Sequence, residues 1–269
     1  MEKHLIVLDL DGTLLPDLTT CDEETFEYLR KLNKDGHIIM LATGRPKRSS
    51  YFVYEKLNLH SPLINYNGAL VTNPQDENFK VTDLRINLQD LLDIIEYIRP
   101  YLVNVFCEIH DDIYVMEYNS HVHDFLHVDG GVVHSGELKD ILPDTPHGAL
   151  FFLDSQHINV FEDYIKNSFN GNLLTRYWQI GPNHIVEIYS PQVDKKNGIE
   201  DAIKYYNIKP ENTIAIGDGH NDIGMLSVCH HKVAMGNAHP DLLQVANHVT
   251  DRIENQGVLK FLKNYFEKK

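Results

Sequence analysis

Five short apolar runs, Leu5-Ile6-Val7-Leu8, Ile38-Ile39-Met40-Leu41-Ala42, residues 63–66, Thr213-Ile214-Ala215-Ile216 and residues 232–235, constrain this chain more than any other feature. A run of four or five residues with almost no polar member belongs to a strand buried on both faces, the state of a parallel sheet covered by helices. Between the runs, apolar residues recur at helical spacing. Residues 22–33 place Phe26, Leu29 and Leu32 on one face, and Asp35-Gly36 supplies the stop before the next strand. Further helices are expected near residues 47–57, 196–206 and 222–228, with a final one running through Leu242. Strand alternating with helix is the pattern of an α/β layer fold.

The pattern changes between residues 85 and 187. A helix over 88–99 precedes two strands, 103–108 and 113–117, around an Asp111-Asp112 turn, which is hairpin chemistry. A strand at 149–153, a helix at 158–169 and two strands flanking Gly181-Pro182-Asn183 follow. The expectation is an α/β, Rossmann-like parallel-sheet core with helices on both faces, formed by residues 1–84 and 188–269. An α+β domain at 85–187 is inserted into it. A chain of 269 residues suits about two domains.

Thirty-nine acidic residues against twenty-four basic ones leave a formal charge of −15, which repels nucleic acid and anionic lipid alike. Neither is an expected partner. The same charge repels a phosphorylated metabolite, so a site for one requires a local divalent cation or a placed lysine. Cys21, Cys107 and Cys229 are widely separated and form no Cys-x-x-Cys pair, the simple reading being reduced thiols in the cytoplasm. The apolar run near the N-terminus meets Asp9 after four residues, too soon for a signal peptide, and no stretch of eighteen apolar residues exists to span a membrane. Nothing in the sequence speaks to the oligomeric state.

Four motifs carry the chemistry, each placed where a strand is expected to end. Asp9-Leu10-Asp11-Gly12-Thr13 directs two carboxylates, at i and i+2 on extended backbone, toward one ligand. Such a pair suits attack on phosphorus by one acid while the other gives a proton to the departing oxygen. The alternative is a strand followed by an ordinary Asp-Gly turn. Thr43-Gly44-Arg45-Pro46 leads into a helix, where the Thr43 hydroxyl and neighbouring amides, that of Gly44 among them, could hold a phosphoryl oxygen, or where Thr43 is simply an N-cap. Lys195 and Lys196 begin another helix, against its macrodipole, as a charge-neutralising lysine would or as surface residues would. Gly217-Asp218-Gly219-His220-Asn221-Asp222 offers oxygen ligands of the kind Mg²⁺ takes, or a polar loop.

In this order the four motifs resemble the haloacid dehalogenase-like (HAD) superfamily of phosphotransferases, and most closely its Cof-type hydrolases, which carry a large cap between the second and third motifs. The resemblance spans essentially the whole chain. It implies a phosphoric monoester hydrolase with Asp9 as nucleophile, Asp11 as acid and base, Thr43 and Gly44 on the phosphoryl group, and Lys195 as the neutralising cation. Lys195 is favoured over Lys196 because the family spaces its lysine three residues before a small residue followed by a branched one, here Gly198-Ile199. It further implies Mg²⁺ held by Asp9, the backbone carbonyl of Asp11 and Asp218, with Asn221 and Asp222 supporting the metal or the lysine. Asn67 and Asn237 match positions near this site. The metal and Lys195 favour the ionised form of Asp9, and surroundings less dominated by those two cations could leave Asp11 protonated.

Other features stay open. His121, His123 and His127 are close enough for a second metal site, although surface histidines on an acidic segment are favoured because no cysteine or Glu-containing zinc motif completes the set. Phe106, Tyr114, Met116, Tyr177 and Trp178 sit at strand spacing, on a substrate-facing surface or, more commonly for such residues, in a core. The leading function is a Mg²⁺-dependent phosphatase of small phosphorylated metabolites, sugar phosphates or a phosphorylated cofactor, working through a phosphoaspartate. A phosphomutase on the same core and a non-catalytic metabolite-binding module are the alternatives. The substrate itself is not identified.

Overall fold

The computed structural model describes residues 2–123, 125–126, 128–180 and 183–267, without the side chains of residues 121, 178–180 and 183. The chain divides into two compact units: one of Met1–Arg45, Ser50–Thr82 and Asp194–Lys269, the other of Pro46–Ser49 and Asp83–Val193.

The first unit opens with β1 (Leu5–Leu8), α1 (Glu23–Lys34), β2 (Ile38–Ala42), α2 (Lys47–Lys56), β3 (Leu63–Asn65), β4 (Leu70–Thr72) and β5 (Thr82–Asp83). The second contains α3 (Leu88–Ile98), β6 (Leu102–Ile109), β7 (Asp112–Val115), α4 (Ser120–His123), β8 (Val133–Ser135), α5 (Leu138–Ile141), β9 (Gly148–Asp154), α6 (Ile158–Phe169), β10 (Leu174–Ile180) and β11 (Asn183–Tyr189). The first then resumes with α7 (Lys196–Tyr205), β12 (Thr213–Gly217), α8 (Ile223–Ser227), β13 (His231–Ala234), α9 (Pro240–Val245), β14 (His248–Val249) and α10 (Gly257–Glu267).

The first unit is a sheet in the order β14-β13-β12-β1-β2-β3-β4-β5, parallel from β14 to β3, with β4 antiparallel to β3. Its central strands β1, β2 and β12 bury both faces, and the two-residue period sorts them cleanly. Ile6, Leu8, Ile39 and Leu41 pack with Phe26 of α1, Val53 and Tyr54 of α2, and Leu259 and Leu262 of α10. Leu5, Val7, Met40 and Ala42 pack on the opposite side with Ile199 and Ala202 of α7, Met225 and Leu226 of α8, and Leu242 of α9. Asp22 caps α1 by accepting from the Thr25 N–H, so the helix begins one residue later than expected.

The second unit is a sheet in the order β10-β11-β9-β6-β7-β8, antiparallel apart from the β7–β8 pair. Leu91, Ile94 and Ile98 of α3 and Phe161, Ile165 and Phe169 of α6 bury one face against Val105, Cys107, Phe151 and Val186. On the other face Phe106, Phe152 and Ile185 pack with Val122 and Leu126. Tyr114 is buried in the first of these clusters, with Met116 and Tyr177 partly buried against it, and Phe106 is buried in the second, so these four do not form one aromatic surface. The hairpin turn is His110-Asp111, one residue earlier than expected, with His110 at φ 53° and Asp112 already in β7. Gly181, Pro182 and His127, together with the side chains of Trp178 and His121, lie outside the described residues.

Candidate active site

The motif residues sit where the parallel strands of the first unit end, the end at which open α/β sheets bind ligands. Asp9 follows β1 and is still tied to the sheet by its N–H, which donates to Ile216 O at 3.1 Å. Past it the chain curls into a closed loop, with the Leu14 and Leu15 N–H groups donating to Leu10 O and the Gly12 N–H to Leu15 O. Gly12 lies at φ +80°, and a Cβ there would stand 2.3 Å from the Asp218 carboxylate. Only glycine serves both needs, since it tolerates the left-handed conformation and leaves room for Asp218.

Lys195 is the hub. Its side chain is 0% exposed, and Nζ donates to Asp9 Oδ1 and to Asp222 Oδ1, each at 2.6 Å. Lys196 is 47% exposed and reaches only Asp194, at 3.4 Å, so of the two lysines Lys195 alone enters the acidic cluster. Asp222 is also held by backbone, accepting on Oδ2 from the N–H groups of Asp218 (3.0 Å) and Gly219 (2.9 Å). It supports the lysine and shapes the Asp218 loop. Burial works against the Lys195 ammonium, but Asp222 and Asp9 outweigh it and raise its pKa above the ordinary value.

Asp9, Asp218 and Asp222 each offer a carboxylate oxygen within 4.8 Å of the others, the group that could hold a metal ion among the described residues. One ammonium does not balance three buried or half-buried acids. Burial, reinforced by Asp222, pushes Asp9 well above the usual carboxylate range despite Lys195. Burial and then Asp222 likewise push Asp218 up to about 6, against the hydrogen bond from Thr13. Hard oxygen donors carrying surplus negative charge are the donor set a divalent cation takes, and its charge would cancel the repulsion. The residues fit such an ion. Asp218 is kept in place by Thr13 Oγ1, which donates to Oδ1 at 3.0 Å, and by Asn237 Nδ2, 3.4 Å from Oδ2 and 2.9 Å from Gly12 O.

Thr43 is buried after β2. Its N–H donates to Ile64 O, its carbonyl accepts from the Asn67 N–H, and its hydroxyl accepts from the Arg45 N–H at 3.1 Å while keeping its own proton to donate. Gly44 stands exposed beside it, next to the Asn67 side chain. Asn67 takes a left-handed conformation, φ 54°, and accepts on Oδ1 from Asn221 Nδ2 at 2.8 Å. Asn221 thus braces the Asn67 turn. Gly68 at φ +99° lets that turn lie against the Asp194 carbonyl, only 2.1 Å from where a Cβ would be, just before Lys195.

Asp11 has a cationic partner of its own. Its carboxyl, 51% exposed, is gripped by Arg45, whose Nε donates to Oδ2 at 2.9 Å and whose Nη2 donates to Oδ1. The cation beside Asp11 is thus a guanidinium, supplied by the Thr43-Gly44-Arg45 segment. Arg45 and Thr13 are the site residues to which motif reading assigned no role. A long basic side chain inside a phosphate-binding motif of an acidic chain is the signal that could have drawn attention to Arg45.

Comparison with known proteins gives a consistent result. A family model described as haloacid dehalogenase-like hydrolase matches residues 6–262. The chain is 34% identical over 266 residues to the 5-amino-6-(5-phospho-D-ribitylamino)uracil phosphatase YitU of Bacillus subtilis, covering 98% of each. It is 25% identical over 269 residues to YcsE of the same organism, which bears the same enzyme name, with 98% of this chain and 96% of that one covered. A haloacid dehalogenase-like hydrolase from Bacteroides thetaiotaomicron superposes with a TM-score of 0.83 over 98% of this chain and 100% of its own; at 22% identity that likeness speaks for the fold alone.

Proposed function

This chain belongs to the haloacid dehalogenase-like hydrolases, of the Cof type, and is a phosphoric monoester hydrolase; from that premise we propose that it dephosphorylates small phosphorylated metabolites through a phosphoaspartate on Asp9, with Mg²⁺ as cofactor. The observation that carries this reading is the Lys195 ammonium bridging Asp9 Oδ1 and Asp222 Oδ1, with Asp218 close by. It leaves Oδ2 of Asp9 free of the lysine and available for attack.

The residues divide the work. Asp9 Oδ2 attacks phosphorus as the bond to the leaving alcohol breaks, and protonated Asp11 gives its proton to that alcohol. Water then attacks phosphorus in the phosphoaspartate and passes a proton to Asp11, releasing phosphate and restoring Asp9. Thr43, Gly44 and Lys195 hold phosphoryl oxygens and carry part of the charge that spreads over them. Asp9, Asp218 and the Asp11 carbonyl would hold Mg²⁺, which supplies charge neutralisation and a further contact for a phosphoryl oxygen when bound. Asp222, Asn221, Asn67 and Asn237 keep these groups in place.

The relative with 34% identity over nearly all of both chains makes 5-amino-6-(5-phospho-D-ribitylamino)uracil the first substrate to try. Residues 85–187 are proposed as the cap domain that selects it, and the compartment is proposed to be the cytoplasm. Among the described residues no helix is long and apolar enough to cross a membrane. The test is a panel of monoesters containing that compound, sugar phosphates and pyridoxal phosphate, assayed for released phosphate with and without Mg²⁺ and with Asp9→Asn as control. Transfer to a second hydroxyl without phosphate release would make the protein a mutase. Undiminished turnover by Asp9→Asn would end the phosphoaspartate mechanism.

A further inference from the structure

We infer that Arg45 is the positioning residue for Asp11, fixing the acid in one rotamer on the side of the leaving group; the inference rests on the reading of Asp11 as acid and base. The guanidinium is held from several directions. Its side chain is 8% exposed, Nη1 donates to Leu18 O at 2.9 Å, and Nε and Nη2 fork onto the two oxygens of Asp11. The Arg45 backbone is equally constrained, its carbonyl accepting from Asn65 Nδ2 at 2.9 Å and from the Tyr66 N–H at 3.3 Å.

Asp11, by contrast, is half exposed at the tip of the loop that follows β1. A carboxyl on such a tip has no packing to choose its rotamer, whereas general acid catalysis requires it within hydrogen-bond reach of one oxygen atom. A planar fork imposes the missing geometry because it fixes both distance and plane, which an ammonium does not. The fork takes up one edge of the carboxyl, and a protonated carboxyl keeps, away from that edge, an O–H that can donate to the leaving oxygen.

Arg45 on this account acts through Asp11 and not on phosphorus, so its loss selects among leaving groups. A simple alkyl monoester, whose alkoxide is a poor leaving group, needs the proton from Asp11. p-Nitrophenyl phosphate, whose phenolate departs readily, scarcely does. Arg45→Gln is expected to lower kcat on the alkyl ester by roughly 10–100-fold and on p-nitrophenyl phosphate by less than about threefold. KM and inhibition by inorganic phosphate stay within about twofold of the parent protein. Arg45→Lys, which keeps the charge without the fork, shows the same selectivity and serves as the readout if the glutamine variant does not fold. An Asp11→Asn, Arg45→Gln double variant is no slower on the alkyl ester than Asp11→Asn alone, because one residue works through the other.

Equal losses on both esters, or a raised KM and weaker phosphate inhibition at unchanged kcat, would overturn the inference. Asp11→Asn separates the two ideas: if it shows no leaving-group selectivity, the reading of Asp11 as the acid fails. If it shows selectivity and neither Arg45 variant does, the positioning role alone fails.

Discussion

The two ends of the parallel strands in the first unit are both rich in ionisable side chains, yet they handle charge in opposite ways. At the carboxyl ends, Asp9, Asp218 and Asp222 crowd around a single ammonium, and burial with mutual repulsion raises the first two above their ordinary pKa values. At the amino ends, His4 and His37 precede β1 and β2 while His231 and His248 begin β13 and β14. There His4 Nε2 and His231 Nε2 both meet the Tyr265 hydroxyl at 3.1 Å, and His231 Nδ1 lies 3.3 Å from His248 Nε2. The His4 N–H donates to His37 Nδ1 at 3.2 Å. Burial, then the neighbouring His4, pushes His37 down to about 4, so it stays neutral. One end is left with charge that an incoming cation and phosphate can use; the other ties its rings to one another and to Tyr265. Position at a strand end does not make a site. Uncompensated charge does.

The largest expected effect comes from removing the cation at the charged end. Lys195→Met leaves Asp9 and Asp222 buried without their partner, and the cost of stranding such charges is about 3–5 kcal/mol. Urea unfolding at neutral pH would read that loss, and phosphate release would vanish with it. Lys196→Met, on the exposed neighbour, should move stability by no more than about 0.5 kcal/mol. Similar unfolding midpoints for the two variants would mean that the ammonium does not hold this end together.

A smaller effect follows from Asp218, whose pKa rises from 3.8 to about 6 on folding. Between those values the folded chain binds the proton more tightly than the unfolded chain, so without divalent cation stability falls as pH climbs through roughly 4 to 6. The loss is on the order of 2 kcal/mol, allowing for partial solvent screening. Asp218→Asn removes this slope. Mg²⁺ at a hundred times its dissociation constant should add about 2.7 kcal/mol to the parent protein, and much less to the variant. Parent and Asp218→Asn profiles of the same slope in chelator would deny Asp218 its raised pKa.

How far the sequence alone led is clearest in the contrast between long signals and short ones. Apolar runs and 3.6-residue spacing anticipate β1, β2, α1 and α6 because each buries a whole face, and burial leaves a period. β5 and β14 are two residues long and β4 and β8 three, too short for any period to show. α10 is a different omission: Val258, Leu259 and Leu262 carry helical spacing onto the core, and the reading that stopped at Leu242 passed over it. In the site, residue types and spacing marked the acids, because chemistry demands them. They did not mark the Arg45 fork or the Asn221–Asn67 bond, which join residues 34 and 154 positions apart and leave no local pattern. Lys195 and Lys196 are neighbours of one type, and only burial separates them.

The smallest effect belongs to the histidine end and has the opposite sign. His37 has a pKa of about 4 in the folded chain against an ordinary 6.5, so the unfolded chain takes up the proton first as pH falls. Stability from the neutral ring is therefore complete above about pH 6.5 and is lost as pH drops toward 4. The expected loss is about 1–2 kcal/mol. His37→Gln keeps an acceptor for the His4 N–H and should flatten this acid limb without touching the cation-dependent slope set by Asp218. Measured on one urea series in chelator between about pH 4 and 6.5, the two variants should change the slope of the same curve in opposite directions. If His37→Gln altered the Mg²⁺ response instead, the two ends of the sheet would be energetically coupled, and the division between an acidic working end and a histidine-lined structural end would have to be given up.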